Sequence, residues 1–285
     1  MATQTTAPAP AEPIAPARIE RTDSWQLAPL GFLLLFSAFG IWATYRAFQN
    51  GYFDTEMLNV MAFPNSMPHY LSPFYSPTVD LTMLLGWHLG PFAISPALLI
   101  LPFPLSFRLS CYYYRKMIYR SYLADPLACA VAEPKPLDAM RRKKYTGERA
   151  FPFIAQNFHR YAFYAAVVFI VLLWIDTVKA FFFTNGDGTT HFGIAVGSLV
   201  FLANICLLTL YTFSCHSWRH LIGGGVDCYS CTVMNKTRHG MWQKISFLNE
   251  RHGLWAMMSL CSVALTDVYV YLVTTHPSLD HHFLG

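Results

Sequence analysis

The chain has 285 residues, of which 54% are hydrophobic and 13% are charged; the charged fraction is about half that of an ordinary soluble domain. This balance excludes a large soluble core as the main feature and indicates an integral membrane protein. The formal net charge is +4, and the seven cysteines are odd in number, which excludes a complete set of intramolecular disulfides.

The apolar segments predict an all-α membrane protein with five transmembrane helices. Residues 1–27 are rich in Ala, Pro and Thr and lack the apolar core of a signal peptide, so we expect a flexible tail. A transmembrane domain over 28–275 and a short tail over 276–285 follow. The domain contains five apolar runs of about 20 residues, the length that crosses a bilayer: Leu30–Phe48, Leu81–Leu105, Tyr161–Phe183, Phe192–Phe213 and Leu254–Val273. Prolines interrupt the second run, which we expect to be kinked. No internal repeat is apparent, which argues against a duplicated transporter fold.

The distribution of Lys and Arg predicts the orientation of the spans. Of the 20 basic residues, two lie in the N-terminal tail, eleven in the loop 106–160 and five in the loop 214–252. The other two, Arg46 and Lys179, lie near the opposite ends of the first and third runs. Because loops rich in Lys and Arg stay in the cytoplasm, we expect both loops and the N-terminus to be cytoplasmic and the C-terminus to lie outside.

The densest group of potential metal ligands follows the fourth run, in SCHSWRHLIGGGVDCYSC. It comprises Cys215, His216, His220, Cys228 and Cys231. His216 and His220 are spaced i and i+4, on one face of a helix that Gly223–Gly225 would end, and such a pair can hold one metal ion. Cys228 and Cys231 have the spacing of a thiolate pair. Since the cytoplasm disfavours disulfides, we expect metal binding. A Rieske-type 2Fe–2S centre and a Cys2His2 zinc site both fit these residue types.

Further cysteines and histidines lie singly along the chain. Those at the predicted cytoplasmic ends of the spans are Cys111, Cys129, His159 and His252. A single histidine at a membrane boundary is more often an interfacial residue than a metal ligand. Cys206 and Cys261 lie inside spans, where free cysteine behaves as a small buried hydrophobic residue.

Ionisable side chains inside the predicted spans are functional candidates, because charge is costly within a bilayer. Asp267 lies in the fifth run and His88 lies at a comparable depth in the second. They indicate either a proton path or a second quinone site. An internal ion pair that fastens helices together is an equal alternative for Asp267.

Several stretches between about Tyr70 and Tyr269 carry a family resemblance. They are YLSPFYSP, FRLSCYYYRK, ACAVAEP, KYTGE, FPFIAQNFHRYAFYAA, SCHSWRH, LNERH and ALTDVY. In order and length they resemble the five-helix, single-chain membrane-anchor subunit of one bacterial type of succinate dehydrogenase. The resemblance implies a subunit of the bacterial cytoplasmic membrane that anchors a flavoprotein and an iron–sulfur subunit on the cytoplasmic face. It also implies electron transfer from succinate to quinone through a Rieske-like 2Fe–2S cluster in place of a haem.

The resemblance implies ligands near Cys215, but it differs from this chain at one position. The family pattern leads us to expect a cysteine where this chain has Trp218, and it has no counterpart of Cys228 or Cys231. The missing thiol would come from that pair, or from Cys129 or Cys111 in the neighbouring loop. Quinone would bind nearby, with contacts from Trp218, Arg219 and His252.

Two alternatives stay open for the cofactor. The chain could hold haem b, with axial ligands among His88, His159 and His252, or it could be a structural anchor with a zinc site. Membrane lipid and quinone are expected partners beside the two soluble subunits, and a higher oligomer is compatible with the sequence. No nucleic-acid partner is expected.

Overall fold

A computed structural model of the protein describes residue 24 and residues 26–49, 51–55, 67–78, 95–122 and 153–284. Its α-helices are α1 (Leu27–Gln49), α2 (Pro96–Ile100), α3 (Pro102–Ser110), α4 (Tyr112–Tyr122), α5 (His159–Lys179), α6 (Val196–Phe213), α7 (His216–Gly223), α8 (Val233–Glu250) and α9 (His252–Thr275). Single 3-10 turns precede α5 and follow α9. Within these ranges α1, α5, α6 and α9 are long and apolar enough to cross a membrane, and the predicted all-α membrane fold is confirmed.

The helices follow the predicted apolar runs with small changes at the ends. The third and fourth runs each lose a few residues to short strands at one end. The second run is covered only from residue 95, so the count of five spans stays a prediction. Its described part is broken between α2 and α3 at Leu101, directly before Pro102. This is the kink expected there, since proline cannot donate a helical hydrogen bond.

The helices pack into a bundle with two different ends. α9 packs along α6, and α5 packs against α3 and α6, while α1 lies against α2 and α4. α3 and α6 end where α5 and α9 begin, and we call this the cysteine end because Cys111 and Cys215 lie there. Aromatic side chains, among them Phe107, Tyr114 and Tyr211, fill the core beside it. We call the opposite end, which carries the strands, the strand end.

Short antiparallel strands close the strand end. β2 (Phe182–Thr184) lies between β1 (Met67–Pro68) and β3 (Thr190–Phe192), with Phe183 opposite His191 in the register. β4 (Ile194–Ala195) pairs with β5 (His282–Leu284). The strands therefore join the α5–α6 connection to chain segments that are distant in sequence.

The buried carboxylate of Asp280 fastens the last described residues to the bundle. It accepts hydrogen bonds from Tyr70 Oη (2.9 Å), Tyr269 Oη (2.7 Å) and the backbone N–H of Gly197 (3.1 Å) at the start of α6. A Cβ at Gly197 would lie 2.3 Å from the Tyr70 ring, so the absence of a side chain permits this contact. The tail expected over 276–285 is, through residue 284, part of the packed structure.

A second buried carboxylate, Asp267, joins α9 to α1. Arg46 Nε donates to Asp267 Oδ2 at 2.9 Å, Trp42 Nε1 donates to the same oxygen at 2.7 Å, and Ser72 Oγ donates to Oδ1 at 2.5 Å. The other donors of the guanidinium reach oxygens at the end of α1 and just after it, on Gln49, Gly51 and Tyr52. Of the roles left open for Asp267, this geometry favours the internal ion pair. His88, its expected companion in a proton path or second quinone site, lies outside the described residues.

We expect Asp267→Ala to destabilise the protein strongly. The substitution leaves the Arg46 guanidinium buried without a carboxylate, and breaking a buried pair in this way costs about 3–5 kcal/mol. Thermal unfolding of the purified protein in detergent measures the loss. Asp227→Ala is the matched control, because Asp227 is exposed in the connection between α7 and α8 and should change the midpoint little. An equal fall in both variants would contradict a special role for the buried pair.

Candidate functional site

Two Ser–Cys pairs lie at breaks between helices at the cysteine end. Ser110 ends α3 before Cys111, and Ser214 follows α6 before Cys215. Both cysteines have extended backbone, with φ and ψ of −68° and 132° at Cys111 and −66° and 145° at Cys215. Both are buried, and neither is in a disulfide. Each break therefore places one buried thiol at the same end of the bundle.

Two histidines connect these pairs crosswise. His159 begins α5; its Nδ1 lies 2.9 Å from the serine hydroxyl of the first pair and its Nε2 lies 2.9 Å from Cys215 Sγ. His252 begins α9; its Nδ1 lies 2.7 Å from the serine hydroxyl of the second pair and its Nε2 lies 3.5 Å from Cys111 Sγ. Each imidazole thus contacts the serine of one pair and the cysteine of the other.

A short repeat in the sequence underlies this symmetry. Residues 107–115 (FRLSCYYYR) and 211–219 (YTFSCHSWR) share the order aromatic, two residues, Ser, Cys, three residues, Arg. In both, the arginine N–H donates to the cysteine carbonyl, at 3.0 and 3.1 Å. The first aromatic ring stacks on His159 at 4.8 Å between centroids, and the second stacks on His252 at 5.1 Å. This repeat covers nine residues and is far shorter than the duplicated domain of a transporter fold, which the sequence argues against.

The thiols and imidazoles line a cavity of about 640 Å³. Polar side chains of nearby helix ends complete its lining: Tyr113, Asn157, Arg160, His216, His220 and Asn249. Burial raises the pKa of the Cys215 thiol to about 12, so without a metal this thiol keeps its proton at neutral pH. Burial, with smaller contributions from the charges of His220 and Arg219, lowers the pKa of His216. The cavity therefore presents uncharged thiol and imidazole groups. A metal ion can bind the thiols by displacing their protons.

The ligands predicted from the sequence are only partly brought together. Cys215 lies at the centre of the cavity wall, and Cys111, expected only as an alternative, is its counterpart. His216 and His220 line the same cavity from α7, with ring centroids 4.4 Å apart. Neither ring bonds to a cysteine within the described ranges. Cys129 lies outside those ranges.

Cys228 and Cys231 form a disulfide in the connection between α7 and α8. We expected a reduced thiolate pair on a metal ion, and the structure differs from that expectation. Sulfurs joined to each other do not carry the thiolate charge that binds metal. The connection is also held without metal, because Asn235 Nδ2 donates to the Cys228 carbonyl at 2.8 Å.

The three residues that we expected to contact quinone lie in different parts of the structure. Trp218 packs against Phe163 and Phe213, with ring centroids 6.1 and 5.3 Å away. The Arg219 guanidinium lies over the Trp242 ring at 4.6 Å, beside a smaller cavity of about 310 Å³. His252 belongs instead to the crossed arrangement.

The sequence did not reveal that His159 and His252 face the two cysteines; it offered both only as possible haem ligands, and His252 as a quinone contact. Judged singly, each resembled an interfacial histidine. The available signal was their shared position: each opens a helix that follows a Ser–Cys pair and a polar loop. In the part of the chain that the structure describes, no three His, Cys, Asp or Glu side chains converge as for one metal ion; the site consists of two Cys–His contacts side by side.

Comparison with known proteins identifies the family. Residues 27–276 match the model of the actinobacterial succinate dehydrogenase subunit SdhC. The chain belongs to this family. The structure is also similar to a chain of the Mycobacterium smegmatis Sdh1 complex in the apo form, with 40% sequence identity, a TM-score of 0.71 and 94% of each chain covered. Comparison with curated proteins finds no match.

Membership in the SdhC family confirms several predictions. The chain is a membrane subunit of succinate dehydrogenase, a quinone-reducing enzyme, and it associates with other subunits of that enzyme. Its apolar helices and its family make it a multi-pass protein of the bacterial cytoplasmic membrane. The iron–sulfur cluster, its ligands and the residues that contact quinone stay predictions.

We expect the cysteines of this SdhC chain to differ sharply in reactivity. Iodoacetamide should label Cys228 and Cys231 once their disulfide is reduced, while Cys111 and Cys215 stay unlabelled in the folded protein because they are 2% and 1% exposed. Raising the pH from 7 to 9 should not make Cys215 reactive, since a pKa of about 12 leaves its thiol almost entirely protonated. Peptide mapping by mass spectrometry measures this, with unfolded protein as the fully labelled reference. Labelling of Cys215 as fast as of Cys228 would contradict the structure.

Proposed function

We propose that this SdhC subunit passes electrons from the iron–sulfur subunit of succinate dehydrogenase to membrane quinone, and that it holds a Rieske-type 2Fe–2S cluster for this purpose. The ligands would be Cys111, His159, Cys215 and His252. The observation that carries the proposal is the crossed arrangement of two buried thiols and two imidazoles around one cavity.

The residues fit this cluster in type and in surroundings. Two cysteines on one iron and two histidines on the other are the ligand set of a Rieske centre. Both histidines have Nδ1 beside a serine hydroxyl and Nε2 directed at the site, and such contacts fix the orientation and tautomer of a metal-binding imidazole. The backbone N–H of Ser217 also donates to Cys215 Sγ at 3.4 Å. When bound, such a cluster accepts and releases one electron at a time, at a potential that histidine ligation raises.

The geometry argues against a zinc site and against a haem held between His159 and His252. A structural zinc ion needs four ligands around one point, and no three potential ligands converge in this way in the part of the chain that the structure describes. An axial pair for haem needs two imidazoles that face each other across an open plane. Nε2 of His159 and of His252 each face a thiol instead. A redox-active metal also suits a subunit of a quinone-reducing enzyme better than zinc does.

This chain's own residues would orient and shield the cluster. The two stacked aromatic rings fix the planes of the imidazoles, and the serine hydroxyls fix their rotation. Phe163 and Leu260 pack behind the site and exclude water from its buried side. The cavity leaves the other side open toward the ends of the helices, where a partner that delivers electrons can approach.

We infer the orientation of the chain in the membrane from its cysteine end. The cysteine end would face the cytoplasm, as the basic loops predict, with five spans, a cytoplasmic N-terminus and an outer C-terminus. The flavoprotein and iron–sulfur subunits would dock at this end. Of the expected quinone contacts, His252 is assigned to the cluster, whereas Trp218 and Arg219 stay candidates.

We expect His159→Ala and His252→Ala each to abolish the cluster. The test is low-temperature EPR on the purified complex after dithionite reduction, with iron and acid-labile sulfide measured on the same samples. The wild-type complex should give a Rieske-type signal that both variants lose, together with succinate-driven quinone reduction. Reduction of a dye that accepts electrons at the soluble subunits should persist, because the substitutions lie in the membrane subunit.

His239→Ala is the matched control, since His239 lies on α8 and packs against Tyr229, away from the cavity. It should keep the signal. Loss of the signal in His216→Ala but not in His159→Ala would overturn the ligand assignment in favour of the pair on α7. A wild-type complex with zinc and no Rieske-type signal would overturn the proposed function itself.

A further inference from the structure

Arg108 is a buried cation that pairs with no carboxylate in the part of the chain that the structure describes. It lies on α3 and is 7% exposed. Its guanidinium donates to Tyr114 Oη, and its other contacts, to Ser259 Oγ and the Ala256 carbonyl, are 3.4 Å long. All of these acceptors are uncharged, so the described residues that Arg108 contacts do not neutralise its positive charge. A buried charge inside a membrane protein is a functional candidate.

The other buried arginine of the bundle is neutralised by its partner. Arg46 Nε lies 2.9 Å from the Asp267 carboxylate, and both side chains are fully buried. The two opposite charges largely cancel each other at a distance. Arg108 is held instead by the faces of two rings, with Tyr114 at 5.4 Å and Tyr211 at 4.9 Å from the guanidinium carbon. Ring faces stabilise a cation without removing its charge, so Arg108 makes the electrostatic potential of the surrounding core positive.

Arg108 lies beside two of the four proposed cluster ligands. The backbone N–H of Cys111 donates to the Arg108 carbonyl at 3.1 Å. The ring of Tyr211 contacts both the guanidinium and the second ligand, His252. Its centroid is 4.9 Å from the guanidinium carbon and 5.1 Å from the centroid of the His252 ring, which places the cation within about 10 Å of that imidazole.

Water screens this charge little, because the side chains near it belong to the buried core. Cys111, Tyr114, Tyr211 and Leu260 are members of one core cluster, and each is at most 2% exposed. Buried charges are screened much less than exposed ones. With the effective dielectric constant of about 20 that suits buried sites, a unit charge at about 10 Å shifts a one-electron equilibrium roughly tenfold.

We infer that the charge of Arg108 raises the reduction potential of the 2Fe–2S cluster proposed at the crossed Cys–His site. The inference rests on the proposed function, because it concerns the same cluster. A reduced cluster carries one more negative charge than an oxidised one, and a nearby buried cation stabilises that charge. Net charge is among the properties that set the potential of an iron–sulfur cluster. Arg108 is neither a ligand nor a catalytic residue, and it acts on the cluster through space.

Arg108 gains and loses nothing during turnover. Succinate loses two electrons and two protons and becomes fumarate, and quinone gains two electrons, takes two protons from solvent and becomes quinol. Arg108 supplies none of these protons, because arginine stays protonated at any physiological pH. Its charge acts only on the equilibrium of electron transfer between the iron–sulfur subunit and this subunit, and it favours the electron on the membrane subunit.

Arg108→Gln removes the charge. In a redox titration of the purified complex followed by the EPR signal, we expect its midpoint potential to fall by about 59 mV, which is a tenfold change in a one-electron equilibrium constant. Arg108→Lys keeps a cation at this position and should keep most of the wild-type potential. Lys116→Gln is the control, because Lys116 is an exposed cation on the neighbouring helix α4. Water screens its charge, so the midpoint should change much less.

Ser259→Asp tests the charge while Arg108 stays in place. Ser259 Oγ lies 3.4 Å from both terminal nitrogens of the guanidinium, so a carboxylate at this position would pair with Arg108 as Asp267 pairs with Arg46. We expect the midpoint potential to fall about as far as in Arg108→Gln. Ser259→Asn is the matched control, because it has nearly the same size and shape as the aspartate and no charge. It should leave the midpoint close to that of the wild type.

The outcomes separate this inference from the proposed function. A Rieske-type signal whose midpoint is unchanged in Ser259→Asp would overturn the role of Arg108 and leave the cluster established. Equal falls in Ser259→Asp and Ser259→Asn would also overturn it, because the cause would then be packing and not charge. If Arg108→Gln fails to assemble, the comparison of the two Ser259 variants decides alone. Absence of the signal from the wild-type complex would overturn the proposed cluster and this inference together.

Discussion

Two breaks in helical geometry, each at a Ser–Cys pair, determine how the cysteine end of this bundle is built. A helix that continued through Cys111 or Cys215 would direct its thiol along the helix surface. The extended backbone at these residues instead starts a new helix and leaves the thiol buried between neighbours. The first residues of α5 and α9 then fit between the two breaks. The packing of the four long elements around this point follows from those contacts.

The bundle contains two buried arginines whose positive charges are stabilised in different ways. Arg46 is neutralised by Asp267 and surrounded by oxygens, and it fixes α1 against α9. Arg108 has no such partner in the described part of the chain and rests on aromatic faces. Desolvating a charge is expensive unless it is paired. The difference therefore separates an arginine that fastens two helices through an ion pair from one that aromatic rings hold in place.

Much of the architecture could be read from the sequence, because span length and proline effects are local. The ends of four apolar runs lie within four residues of the ends of α1, α5, α6 and α9, and the break before Pro102 was foreseeable from proline chemistry. The site was harder to predict from the sequence. Proximity in sequence favoured the dense segment around His216, whereas the crossed contacts join residues 38 to 141 positions apart. Only packing brings them together, although the paired aromatic–Ser–Cys–Arg segments were visible in the sequence.

The crossed contacts also determine the order in which the site assembles. His159 comes from the middle of the chain and His252 from its last spanning helix, so the two thiols and two imidazoles cannot meet until that helix has entered the membrane and packed. Neither Ser–Cys segment holds a complete half of the site, because each histidine bridges both. Any metal cofactor that these four side chains hold is therefore bound only after α9 has packed into the bundle.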